Sequence, residues 1–110
     1  DGLVGLNSFN LFVSQNIEEQ TVDNLVKHAS YIADKIGVER LAFGFDFFEF
    51  LPVNSMSSYS DQDTSYTVGL EDCSKVPELM IKMKKAGFTD QELELVATKN
   101  WYNLIHRVIG

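Results

Sequence analysis

A single carboxylate, Asp46, is the residue best placed to do chemistry in this 110-residue chain. It stands in the most apolar run of the sequence, Leu41–Leu51, where aromatic residues and the absence of Lys and Arg favour a buried strand. Active sites of α/β sheets and barrels lie at the carboxyl ends of parallel strands. Asp46 is therefore a candidate acid–base group, although strand-end aspartates also commonly cap the turn that follows.

The predicted strand that carries Asp46, Leu41–Phe47, has two unlike faces, because side chains alternate along a strand. The bulky face consists of Leu41, Phe43, Phe45 and Phe47. The narrow face consists of Ala42, Gly44 and Asp46, so it ends in a charge. We expect the bulky face to pack on helices and the narrow face to line a crowded interior. A shorter predicted strand, Gly2–Asn7, also ends in a polar residue.

A helix is predicted between these two strands. Thr21 is a suitable N-cap, apolar residues recur at helical spacing from Val22 to Ile36, and Gly37 is suited to end the helix. The order strand, helix, strand predicts a parallel βαβ unit. The apolar loop Ser8–Gln20 is expected to fold back over it.

The second half of the chain is predicted to be a long loop, residues 52–68, followed by helices. Pro77 is suited to the first turn of one helix, and Thr89-Asp90-Gln91-Glu92 is a capping box that opens the last helical region. Asn100 falls within the apolar stripe of that last region. Either Asn100 is buried with hydrogen-bond partners, or the helix breaks near Thr98–Asn100. Of the two we expect the break, with the Asn100 amide joining the two pieces.

Charge and composition exclude several classes of function. The net charge of −7 argues against binding a nucleic-acid backbone. The segment 41–74 carries only acidic charges, which either form a rim that attracts cations or amines or belong to a solvated loop. The lone cysteine, Cys73, cannot form an internal disulfide. No signal peptide or apolar run long enough to span a membrane is present, which favours a cytoplasmic location as an expectation.

Metal-binding and nucleotide-binding motifs are absent from the sequence. There is no HxH, HExxH or CxxC spacing, no G-x-S-x-G elbow, no P-loop and no GxGxxG. The two histidines, His28 and His106, lie far apart in predicted helices. We therefore expect this chain to contribute no metal ligand.

The order of segments resembles the C-terminal part of the membrane (renal) dipeptidase family of zinc metallopeptidases. The residues that carry the resemblance are Gly5-Leu6-Asn7, Thr21–Gly37 with Val26-Lys27-His28 and Tyr31-Ile32, Phe43-Gly44-Phe45-Asp46-Phe47, Gly69-Leu70-Glu71-Asp72-Cys73-Ser74-Lys75-Val76-Pro77, Gly87-Phe88-Thr89 and Asn100. The Gly69–Pro77 stretch is the most diagnostic, since family members commonly read G-L-E-D-x-S-K-x-P there. The resemblance covers nearly the whole chain but only about the last third of a family enzyme.

The resemblance implies an α/β fold: the C-terminal fragment of a metal-dependent (β/α)8 TIM barrel of the amidohydrolase type. The chain would supply strands seven and eight, the helix between them, and the C-terminal helices. Family enzymes hold two zinc ions, joined by a bridging glutamate and a bridging water, through ligands on earlier strands. Asp46 matches the catalytic aspartate of the family, which transfers a proton beside that water and does not bind zinc.

The resemblance also places Asn7 and Phe9 beside the substrate, a dipeptide. Two differences from the family bear on substrate preference. Some members read D-F-D-G where this chain reads Asp46-Phe47-Phe48-Glu49, which alters the mouth of the site. Phe9 stands where some members carry a tyrosine, so any contact that its hydroxyl makes is lost.

Two interpretations of different class follow. In the first, the chain is part of a zinc dipeptidase, is inactive alone because it lacks the metal ligands, and needs the rest of the barrel as its partner. In the second, it is a non-catalytic α/β module used for binding or assembly. Because the sequence begins at Asp1 with strand-like residues and no initiator methionine, we expect the chain to be cut from something longer. Two isolated parallel strands would leave sheet edges unpaired, which makes a homo-oligomer an expectation as well.

Overall fold

The computed structural model describes residues 2–48, 50–51 and 66–110. Its strands and helices are, in order, β1 (Val4–Leu6), α1 (Asn10–Val13), α2 (Val22–Ile36), β2 (Leu41–Phe43), α3 (Val76–Lys85), α4 (Asp90–Glu94) and α5 (Asn100–Ile109). Most of the predicted long loop, residues 52–65, lies outside the described residues. Within the described ranges, no helix has the length and apolar character needed to cross a membrane.

The predicted βαβ unit is confirmed. The strands β1 and β2 are parallel neighbours, with Val4 opposite Leu41 and Leu6 opposite Phe43. The connecting helix α2 begins after Thr21, whose hydroxyl accepts a hydrogen bond from a backbone N–H of the first turn. It ends at Gly37, whose φ of +96° is a conformation that favours glycine. Both strands are shorter than predicted, because the regular ladder stops just before Asp46.

The core lies between the sheet and the helices. The inner face of α2 contributes Val22, Leu25, Val26 and Ala29, and it packs with Leu6, Leu41, Leu79, Met83 and Val96 from the neighbouring elements. The expected packing of the bulky side chains is confirmed: Phe43 in β2, and Phe45 and Phe47 in the residues that follow it, pack against this core. On the narrow face the strands are close together: a Cβ built at Gly44 would lie 3.2 Å from the Gly5 Cα.

The last helical region does not break at Asn100, so that prediction is wrong. A π-helical turn, Leu95–Lys99, joins α4 directly to α5. Such a turn holds one extra residue and lets the helix continue with a shifted face. Asn100 is buried, and its amide Nδ2 donates to the carbonyl oxygens of Val38 at 2.9 Å and Leu41 at 2.8 Å. The Asn100 side chain therefore bonds to the first residue of β2, Leu41, and to Val38 just before that strand, and not to its own helix.

The edge of β2 that faces away from β1 receives hydrogen bonds from side chains of α5. In a parallel pair, alternate residues direct their backbone groups to opposite sides of the strand. Gly44 donates to Leu6 in β1, so the carbonyls of Leu41 and Phe43 point the other way. These accept from Asn100 Nδ2 and from Trp101 Nε1, the latter at 2.8 Å. The C-terminal helix thus supplies hydrogen bonds to this edge of the sheet.

The loop between β1 and α2 folds back as expected and is held by the segment Tyr66–Val68. The backbone of Val68 exchanges hydrogen bonds with Gln20 and Val22 at 2.9 and 2.8 Å. The side chains of Asn10 and Gln20, both buried, are hydrogen-bonded at 3.0 Å. These bonds fix the position of the residues that follow β1.

Candidate active site

Asp46 lies where the β1–β2 ladder loses its regular register. Gly44 donates to the Leu6 carbonyl at 3.1 Å, and a regular parallel ladder would next join the Ser8 N–H to the Gly44 carbonyl. The Ser8 N–H instead donates to the Phe45 carbonyl at 3.0 Å, one residue further along. This irregularity acts as a β-bulge, which bends a strand and redirects the next side chain.

The backbone of Asp46 has a φ of +60°, a left-handed conformation. No other non-glycine residue of the described chain has a positive φ. Aspartate tolerates this region better than most residues, but such conformations are held only where the surroundings determine them, and they cluster at active sites. The bulge at Phe45 and the left-handed backbone of Asp46 interrupt the ladder after β2 and set the direction of the Asp46 side chain.

The peptide before Asp46 is held by a buried serine that sequence reasoning missed. The Ser8 hydroxyl donates to the Phe45 carbonyl at 2.6 Å, so this one oxygen accepts both the hydroxyl and the N–H of Ser8. Thr67 in turn donates from its hydroxyl to the Ser8 carbonyl at 2.8 Å. Both hydroxyl residues are buried. Nothing in the sequence distinguishes them, because a serine after a strand and a threonine in a polar loop are both ordinary.

The Asp46 carboxylate is exposed and makes no hydrogen bond or ion pair with any residue that the structure describes. The interpretation as a turn cap would require a backbone N–H donating to this carboxylate, and the described backbone provides none. Within the described residues, Asp46 therefore combines a left-handed backbone, preceded by the doubly hydrogen-bonded Phe45 carbonyl, with an exposed carboxylate.

Asn7 and Phe9, the two residues expected beside the substrate, follow β1 at the same end of the sheet. The Asn7 Oδ1 accepts the N–H of Phe9 at 2.7 Å, which is an Asx-type turn that fixes the side chain. The Asn7 amide nitrogen has no partner among the described residues. Substrate contact by Asn7 stays a prediction.

Phe9 joins the loop after β1 to the segment after Asp46. Its ring packs edge-to-face with Phe12, 5.1 Å between centroids, and lies 6.2 Å from the ring of Phe48. Only 9% of the residue is exposed, so Phe9 offers a narrow apolar surface. Its contact with a substrate also stays a prediction.

The described residues do not fit a metal site of their own. They contain no group of three or more His, Cys, Asp or Glu residues arranged to hold an ion. His28 on α2 places its Nε2 2.9 Å from the Val13 carbonyl oxygen, and His106 on α5 stacks on Tyr102. Neither histidine is brought near Asp46 by these contacts.

The diagnostic stretch Gly69–Pro77 forms a turn that leads into α3. Gly69 has a φ of +93° and donates its N–H to the Glu71 carboxylate at 3.1 Å. Asp72 accepts from the hydroxyl and the N–H of Ser74, and these hydrogen bonds hold the pKa of Asp72 below its ordinary value of 3.8. Leu70 is fully buried in the core. These contacts give the stretch a structural role in which it fixes the start of α3.

Residues 1–109 match the family model described as membrane dipeptidase, peptidase family M19. The chain is 33% identical over 101 residues to an uncharacterized dipeptidase of Schizosaccharomyces pombe, covering 91% of this chain and 22% of that protein. It is 25% identical over 107 residues to the dipeptidase tcpJ of Claviceps purpurea, covering 97% and 22%. The chain thus spans about a fifth of the length of these relatives.

A solved structure has the same fold. The crystal structure of an amidohydrolase from Pseudomonas aeruginosa superposes with a TM-score of 0.78 at 19% identity, over 96% of this chain and 35% of that one. The expected fold is therefore confirmed: the chain folds as a segment of an amidohydrolase-type barrel.

Proposed function

The chain belongs to the membrane dipeptidase family, and on this premise we propose that it is the C-terminal part of a zinc-dependent dipeptidase in which Asp46 transfers a proton. The observation that carries the proposal is the conformation of Asp46 and the lack of a described partner for its carboxylate. Its carboxylate has no described partner, and its backbone is held in a left-handed conformation at the carboxyl end of a parallel strand. Family membership is also consistent with metal use, which is general in amidohydrolase-type barrels.

Hydrolysis of a peptide bond requires two proton movements. A proton leaves the attacking water, and a proton reaches the leaving amine. A carboxylate at the carboxyl end of the strands can accept the first proton and deliver it as the second. The exposed and unpaired side chain of Asp46 is suited to both tasks, because no described residue competes for its oxygen atoms.

The chemistry that zinc ions supply when bound is a water of lowered pKa and a polarised scissile carbonyl. We propose that the residues that would hold them lie on earlier strands of the barrel, and the side chains of residues 2–48, 50–51 and 66–110 form no suitable cluster. On this proposal, the chain supplies the proton-transfer group, Asp46, and two residues that contact the substrate, Asn7 and Phe9.

The substrate class that we propose is a dipeptide. Asn7 Nδ2 is a donor without a described partner, suited to a carbonyl or carboxylate oxygen of the substrate. Phe9, two residues after Asn7, and Phe48, two residues after Asp46, bring their rings together and form an apolar surface. On this proposal, Asn7→Ala raises KM more than it lowers kcat, because the amide binds substrate and does not move a proton.

The test is a dipeptide hydrolysis assay on the full protein, before and after metal removal with a chelator and after zinc is restored. The proposal expects hydrolysis that is lost on chelation and recovered with zinc. A full protein that folds, carries zinc and hydrolyses no dipeptide would contradict it and favour the non-catalytic binding module.

A second experiment addresses the share of this segment. Residues 1–110 purified alone and loaded with zinc should show neither hydrolysis nor two bound metal ions, because a two-zinc site needs several convergent ligands. Metal-dependent hydrolysis by this segment as a monomer, with two zinc ions bound, would contradict the assignment of the ligands to the rest of the barrel.

A further inference from the structure

We infer that Ser8 is a positioning residue for Asp46, acting through the carbonyl of Phe45. The inference rests on the proposed function, because it concerns how the proton-transfer group is held. Ser8 does not need to touch substrate for this role. Its hydroxyl fixes the peptide plane from which Asp46 projects.

Two donors of Ser8 converge on one acceptor, the Phe45 carbonyl oxygen. The Ser8 hydroxyl and the Ser8 N–H donate to the Phe45 oxygen at 2.6 and 3.0 Å. Ser8 is only 4% exposed, so water cannot readily replace the hydroxyl. The orientation of a carbonyl sets the plane of the whole peptide group, because the peptide bond is planar. Fixing the Phe45 oxygen therefore fixes the backbone nitrogen and Cα of Asp46.

The conformation of Asp46 explains why a second donor is needed. A left-handed φ at a residue other than glycine persists only when neighbouring contacts determine it. The N–H of Ser8 alone would leave the Phe45 carbonyl free to pivot about one hydrogen bond. The hydrogen bond from the Ser8 hydroxyl restrains the Phe45 carbonyl from a second direction, so the carbonyl cannot pivot. Thr67 in turn holds the Ser8 backbone by donating to the Ser8 carbonyl at 2.8 Å. The buried chain of contacts runs from Thr67 through Ser8 to Phe45 and ends at the candidate proton-transfer group.

A simpler role for Ser8 is that it only stabilises the end of the β1–β2 ladder. The two roles differ in what they predict for turnover. A stabilising contact changes the folded fraction and leaves kcat per folded molecule unchanged. A positioning contact changes kcat of the folded enzyme, and it does so only while Asp46 is able to transfer a proton.

The experiment is a double-mutant cycle in the zinc-loaded full protein, with Ser8→Ala, Asp46→Asn and the double variant, assayed for kcat and KM on a dipeptide. Misplacement of a reacting group can cost about 10²-fold, so Ser8→Ala should lower kcat by roughly 10-fold to 100-fold. KM should stay within about twofold, since substrate binding is not removed. In the Asp46→Asn background, Ser8→Ala should cause no further loss beyond about twofold.

The matched control is Ser14→Ala, which removes a serine hydroxyl from the same loop. That hydroxyl donates to Glu19 at 3.0 Å and makes no hydrogen bond to the Phe45 carbonyl, so kcat should stay at the wild-type value. Thr67→Val provides a milder variant if Ser8→Ala folds poorly. It removes only the bond to the Ser8 carbonyl and should lower kcat in the same direction by a smaller factor.

Each outcome decides between the proposals. A full multiplicative loss on adding Ser8→Ala to Asp46→Asn, or wild-type kcat in both Ser8→Ala and Thr67→Val, would overturn the positioning role and leave the proposed function intact. Wild-type turnover in Asp46→Asn would overturn the proposed function, and the positioning role with it. A non-additive loss confined to kcat supports both.

Discussion

Replacing Asn100 with leucine should destabilise the protein measurably, because Asn100 is the junction between the C-terminal helix and β2. The side chain is 3% exposed and donates two hydrogen bonds, to the carbonyls of Val38 and Leu41. Leucine is close in volume but cannot donate. The substitution therefore removes both bonds and leaves the two acceptors without this donor.

The expected size follows from the surroundings of the two acceptors. The Leu41 carbonyl belongs to a fully buried residue, so losing its donor should cost about 1–3 kcal/mol. The Val38 residue is partly exposed, so water can replace the donor there and the loss should be nearer 0.5–1 kcal/mol, roughly the net value of one hydrogen bond. Together the free energy of unfolding should fall by about 1.5–4 kcal/mol.

The assay is urea unfolding of the full protein followed by circular dichroism, with Asn103→Leu as the matched control. Asn103 lies on the same helix and is exposed, so its replacement should change stability by less than about 0.5 kcal/mol. Asn100→Asp should be at least as damaging as Asn100→Leu, because a carboxylate would face two carbonyl oxygens. Equal stability of Asn100→Leu and Asn103→Leu would show that the two hydrogen bonds of Asn100 do not stabilise the fold.

Three further predictions concern single contacts. Gly44→Ala should lower the free energy of unfolding by about 1–3 kcal/mol, since its Cβ would lie 3.2 Å from the facing strand. Gly5→Ala, whose Cβ would lie 3.6 Å away, should cost less, and equal effects would count against a close approach of the strands. Thr89→Ala should cost about 0.5–2 kcal/mol through loss of the capping box, and an unchanged midpoint would exclude that role. The lowered pKa of Asp72 means that its contribution to stability is full above pH 3.8 and is lost as pH falls through the folded-state pKa. Asp72→Asn should therefore be less stable than wild type at neutral pH and should converge with it in acid, whereas a pH-independent difference would contradict this assignment.

The parts of the fold that depend on local patterns could be predicted from the sequence. The helix Val22–Ile36 follows from its cap, its apolar spacing and its terminal glycine, and the capping box at Thr89 is present as predicted. The parallel βαβ arrangement follows from the order of these elements. In each case the determining residues are close together in the chain.

The parts that depend on distant contacts could not be predicted. The π-helical turn before Asn100 allows a bond to a carbonyl 59 positions away, and no local signal marks that partner. The shortened β2 results from the shift of register at Phe45, which depends on Ser8 across the sheet. The position of Asp46 at a strand end was predictable, but its left-handed conformation and the serine that holds it were not.

The central claim is that Asp46 transfers the proton during dipeptide hydrolysis, and the most direct test is the turnover of Asp46→Asn in the zinc-loaded full protein. Asparagine keeps the size of the side chain and tolerates the left-handed backbone, but it cannot accept a proton. We expect kcat to fall by about 10²–10⁴-fold at equal metal content. A kcat within about threefold of wild type would be far smaller than the loss of a positioned acid–base group and would contradict the claim.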